Sequence, residues 1–124
     1  MRMNENIKFK VKTPLKYDVE CSEKQWESHI VSGHPMMKGN EQTVIDALEN
    51  PLAVYRSGSH PKRHAYFGST ENASYGKKVQ YTKVIVDNAE EKPEYTTITA
   101  FPSKKIDGNI DGGELLYVSD KPRP

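Results

Sequence analysis

A single cysteine, a single tryptophan and three phenylalanines are all that the 124-residue chain holds of those types. Cys21 alone cannot form an internal disulfide, so the fold must rest on its hydrophobic core, which a chain of this length can supply. Cys21, His29, His34, His60 and His64 are too scattered to form a dense metal-binding motif, and Pro61 keeps His60 and His64 off one continuous helix. No metal or other cofactor is expected. No apolar run approaches the roughly 20 residues of a membrane helix. Met1–Lys12 also lacks the apolar stretch of a signal peptide. The chain is thus expected to act without a membrane in a cytoplasm, its own or that of a cell it is delivered into. Charge of one sign is missing too: 18 Lys and Arg stand against 17 Asp and Glu, a formal net charge of +1. Bulk electrostatics therefore favours no nucleic acid, and any phosphate site must be a local one. Gly-rich phosphate loops, nucleophile elbows and HExxH helices are absent from the sequence.

What the chain does have is clear hydrophobic patterning. Residues 7–12, Ile-Lys-Phe-Lys-Val-Lys, alternate strictly and predict a half-buried strand that Thr13-Pro14 ends. Its three lysines fit a solvated strand face guarding a sheet edge. Ser22 and Gln25 have the spacing of a capping box and predict a helix over 22–33, with Trp26, His29 and Ile30 on one face. Gly33 and Pro35 are expected to stop it. Asn40 is expected to cap a second helix through Glu41–Glu49, with Val44, Ile45 and Leu48 as its apolar stripe and Asn50-Pro51 as its end.

From Leu52 onward the hydrophobic period changes to two. Strands are predicted at Leu52–Ser57, His64–Gly68, Val79–Asp87 and Tyr95–Phe101, with a short last one at 113–118. The first two read as a hairpin. Asn88 to Glu94 reads as an acidic turn. The expected fold is α+β: two N-terminal helices packed on one face of a four- to five-stranded antiparallel sheet, as one domain over 1–118 with a tail at 119–124.

Helices on one side leave the other sheet face open. If Val84 and Val86 pair with Ile98 and Ala100 over the helices, that open face carries Tyr81, Lys83, Thr97 and Thr99. A cation, hydroxyls and rings on one surface suit a phosphate and a stacked base. Threonine and tyrosine are also ordinary strand residues, and a histidine on an apolar helix face is often a hydrogen-bonded core residue.

The run Trp26-Glu-Ser-His29-Ile30-Val-Ser-Gly-His34-Pro35 is followed by a helix ending at Asn50-Pro51. Tyr66-Phe67, the strand with Lys83 and then Thr97-Ile98-Thr99-Ala100-Phe101 complete the order. Over most of residues 7–106, this order and spacing resemble the small phage- and toxin-associated nuclease domains of the barnase–EndoU–colicin–RelE superfamily. The resemblance implies a two-helix, four-stranded antiparallel fold that cleaves RNA without metal and leaves a 2′,3′-cyclic phosphate. It implies His29 or His34 as acid/base, Lys83 as charge stabiliser and Thr99 as phosphate holder. Arg56 would be a weaker second cation, and Tyr66, Tyr81 and Thr97 would contact substrate. Many relatives carry an arginine just before the second histidine, where this chain has Gly33. The implied partners are RNA, tRNA or another structured RNA, and an immunity or antitoxin protein, as for a toxin or phage-encoded effector. The alternative is a non-catalytic module binding protein or nucleic acid through its open sheet.

Overall fold

The computed structural model describes residues 6–71, 73–75, 81–88, 94–107 and 112–119. The start of the strand expected at residue 79, most of the 88–94 turn and nearly all of the 119–124 tail lie outside the described residues.

Seven strands form one sheet: β1 (Ile7–Lys12), β2 (Asp18–Ser22), β3 (Ala53–Arg56), β4 (Arg63–Ser69), β5 (Tyr81–Asp87), β6 (Glu94–Ser103) and β7 (Glu114–Val118). Their spatial order is β1-β2-β6-β5-β4-β3-β7. Neighbours run antiparallel except β2 and β6, which are parallel through Asp18–Glu20 and Glu94–Thr96. The expected sheet of four or five antiparallel strands is thus corrected to a mixed sheet of seven. The strand that the hydrophobic period did not predict is β2. Its Val19 and Cys21 are buried and alternate with half-exposed neighbours, a pattern five residues long and placed directly before a helix cap. Such a short repeat is easily hidden beside a strong helix signal.

The first helical segment also differs from the α-helix expected, in its winding. Ser22 does cap, its Oγ accepting from the Gln25 N–H at 3.0 Å. The α-helix behind it, α1 (Glu23–Gln25), is only three residues long before the backbone widens into a π-helical stretch, Trp26–Val31. Gln25 does not complete the capping box. Its Nε2 reaches across to donate to the Ile98 carbonyl at 2.6 Å, tying the helical turn to the edge of β6. Gly33 is not left-handed; that conformation falls at Gly39, just before α2 (Glu41–Glu49). Asn40 takes the N-cap position, but its side chain is spent on Met36 O, Ser74 Oγ and Ser74 N–H.

The core lies between the helices and one sheet face. Trp26, Ile30, Val44, Ala47 and Leu48 meet Val54, Tyr66, Val84, Val86 and Ala100. Phe9 meets Trp26 edge-on at 6.4 Å. Helix α2 approaches β4 so closely that a Cβ on Gly68 would come within 2.5 Å of Ala47 Cα. Only glycine permits that contact. Among the described residues no helix lies over the opposite face of β3–β6.

Candidate functional site

Register decides which residues reach that second face. Lys83 lies opposite Phe67 on β4 and Phe101 on β6, and Ile85 lies opposite Ala65 and Thr99. Two rows therefore cross the sheet: Ala53–Phe67–Lys83–Phe101 and Tyr55–Ala65–Ile85–Thr99. The second row floors a cleft of about 370 Å³, whose walls include Lys83, His60, Arg63 and Asp107.

Each wall is anchored differently. The Lys83 ammonium donates to Asp107 Oδ1 at 2.9 Å and sits 5.4 Å from the Phe67 ring and 5.8 Å from the Phe101 ring. Aromatic faces on both sides and a carboxylate in front hold a cation in place while its further N–H donors stay usable. Asp107 comes from the chain that leaves β6 and crosses the open face. The preceding Ile106 lines an apolar groove with Leu52, Ala53 and Leu115. Phe67 is 0% exposed although it lies on this face. Arg63 is fixed at the rim by its Nε contact to Asp87 Oδ2 at 2.6 Å. A tight turn closes at the Arg63 N–H to His60 carbonyl bond of 2.8 Å and brings His60 to the same rim.

Of the residues singled out from sequence, Lys83 and Thr99 share this cleft, and Tyr81 lies half-buried on the same face beyond it. Thr97 does not. Between Ile85 and Val86 the register slips by one residue, so that Val86 pairs with Thr97 and Ile98 is the extra residue. A bulge reverses the inward–outward alternation beyond it. Thr97 turns into the core at 0% exposure, and Ile98 lines the cleft instead. Tyr66 is likewise fully buried on the helix side, where burial pushes its phenol up to about 12. Arg56 lies opposite His64 on that side too, its guanidinium 2.6 Å from Glu114.

The histidines are redistributed. His29 is exposed on the π-helical stretch while Trp26 and Ile30 are buried. The wider turn rotates less per residue. It keeps i+4 beside i and swings i+3 off their face, so His29 leaves the stripe. His34, just past the helical segment, stacks on Phe101 with centroids 5.0 Å apart and planes 26° apart. It thus stands at the end of the Lys83 row. His64 is buried on the helix side between Tyr95 and Tyr17. Burial, with the Arg56 charge second, pushes its pKa down to about 4.

No family model matches the chain, and no curated protein or solved structure matches it either. Function must therefore be argued from the cleft alone. His60, Arg63 and Asp107 were not singled out for this site from sequence. Each sits in a loop or at a strand end, and only the turn at 60–63 and the crossing after β6 bring them to the cleft. Among the described residues no three His, Cys, Asp or Glu side chains gather as a metal would need. No helix among them is long and apolar enough to cross a membrane.

Proposed function

We propose that the open-face cleft binds an RNA phosphodiester and cleaves it without metal, by transfer of the phosphorus to the adjacent 2′-hydroxyl. One observation carries this reading: Lys83 and Thr99, on neighbouring strands, line one cleft together with an imidazole, His60, and a carboxylate, Asp107. A cation and a hydroxyl suit the non-bridging oxygens, and an imidazole and a carboxylate suit the two proton transfers.

In this mechanism one of the pair Asp107 and His60 takes the 2′-hydroxyl proton. The 2′-oxygen bonds to phosphorus as the bond from phosphorus to the 5′-oxygen breaks. The other group gives the 5′-oxygen its proton. The products are a 2′,3′-cyclic phosphate and a 5′-hydroxyl, and Lys83 with Thr99 offsets the charge of the phosphorane. This moves the proton-transfer role away from His29, which is exposed on the helical segment, and from His34, which stands at the flank on Phe101.

The Lys83–Asp107 pair favours a second reading, in which the cleft binds an anion without turning it over, since the cation already holds a carboxylate. Incubating the protein with RNA in a chelator and identifying the new termini separates the two. Cyclic phosphate ends, lost about 10²–10⁴-fold in His60→Ala and in Lys83→Ala, are expected. Binding with no cleavage in the unaltered protein would leave the second reading standing.

A further inference from the structure

We infer that the stacked pair His34–Phe101 is a base-binding platform, and that the cleft takes a nucleotide from an unpaired stretch of RNA. The inference rests on the RNA reading above and gives His34 a binding role instead of a proton-transfer one.

The Lys83 row ends in two rings. Phe101 sits 5.8 Å from the Lys83 nitrogen, and His34 stacks on Phe101 nearly in parallel, with planes 26° apart. On β6, beyond the three residues that pair with β2, no strand lies on the outer side of Phe101 among the described residues. The helical segment fills that place, tied by Gln25 to Ile98, and the chain leaving it delivers His34 to the open face. Both rings remain partly exposed, whereas Phe67 on the other side of Lys83 is fully covered. The row therefore presents a cation next to a flat, accessible aromatic surface on one side only. A nucleotide has that same layout, a phosphate separated by one sugar from a flat base. A phosphate on Lys83 directs its base toward Phe101 and His34. Bases within a duplex are stacked on each other and cannot reach such a platform, so single strands and loops are selected. Lys83 belongs both to the wall of the cleft and to the row that ends in the two rings, so a phosphate bound there has its base outside the cleft, on the platform.

The test is binding of a short deoxyoligonucleotide, which lacks the 2′-hydroxyl and so reports binding apart from cleavage. The single strand is expected to bind, and its duplex to bind at least tenfold more weakly. Phe101→Ala and His34→Ala should each weaken single-strand binding about tenfold, the usual worth of one stacked base. His34→Phe, which keeps a ring but no titratable nitrogen, should recover most of the single-strand binding that His34→Ala loses, which a proton-transfer role at His34 would not predict. Circular dichroism of each variant controls for folding, and Phe101→Tyr serves as the ring-retaining control at that position. Equal binding of duplex and single strand, no loss in folded His34→Ala, or His34→Phe as defective as His34→Ala would each overturn the platform. Ring-dependent binding without any RNA cleavage would uphold the platform and remove only the nuclease chemistry.

Discussion

Wedged between Tyr95 and Tyr17 at 4% exposure, His64 is held neutral by its surroundings, its pKa pushed down to about 4 from an ordinary value of 6.5. Above pH 6.5 neither the folded nor the unfolded chain carries a proton there, and the group leaves stability unchanged with pH. As pH falls from 6.5 to 4 the unfolded chain takes up a proton that the folded chain refuses, and stability drops. The drop is on the order of 3 kcal/mol once the pH has fallen through both values. Urea unfolding at pH 7 and pH 4.5 should show a smaller loss for His64→Phe than for the unaltered protein; equal losses would contradict the assignment. Lys16 gives a second expectation. It holds a φ of 72° in the turn between β1 and β2, a left-handed conformation unfavourable to a side chain. Lys16→Gly should raise stability by up to about 1 kcal/mol in the same assay, after the entropy glycine adds to the unfolded chain. Single residues also mark where sequence reasoning stopped. Lys83 and Thr99 were legible as open-face residues because plain alternation holds for both. Thr97 was not, because the one-residue slip at Ile98 has no signature in the string Thr-Ile-Thr.

Among the elements, α2 and the strands β3 to β6 follow from period, with Val44 and Leu48 buried as expected, although β6 keeps the expected inward–outward alternation only from Thr99 onward. The first helical segment does not follow so simply. Its cap at Ser22 was readable, but the π-helical widening after Gln25 and the long-range bond from Gln25 to Ile98 have no local pattern in the sequence. That widening is why His29 points to solvent. Helix α2 packs against β4 with no room for a side chain at Gly68. Gly68→Ala must push Ala47 and its helix outward, and is expected to cost about 1–3 kcal/mol in denaturation. Because α2 lies on the face away from the cleft, oligonucleotide affinity of the folded Gly68→Ala variant should stay within about twofold. A large loss of affinity without unfolding would mean that the two faces are coupled.

At the scale of the whole molecule, a net charge of +1 gives little long-range pull on a polyanion, and recognition rests on local contacts. Lys83 and Arg63 are the cations at the cleft among the described residues. Single-strand binding should then depend only weakly on salt, with a log–log slope of about −1 for one or two neutralised phosphates. A slope several times steeper, measured by titration at increasing salt, would place the binding surface elsewhere. The sheet's edges differ in kind as well. β1 carries Lys8, Lys10 and Lys12, whereas β7 exposes Leu115 at 50% and Val118 at 62%.

The parallel pairing of β2 with β6 also governs the order in which the chain assembles. β3 to β6 can pair with neighbours close in sequence, each turn closing a modest loop. β2 must instead find residues 94–96 from residues 18–20, and β1 can join the sheet only through β2. Closing so long a loop is entropically costly until the surface that receives it exists. The N-terminal pair therefore docks after the rate-limiting step. Val19→Ala, at 0% exposure in β2, should then speed unfolding and leave the folding rate almost unchanged, a φ-value of about 0–0.3. Val84→Ala in β5 should slow folding. The protein reaches its final shape by fastening its beginning onto a sheet built from its later strands.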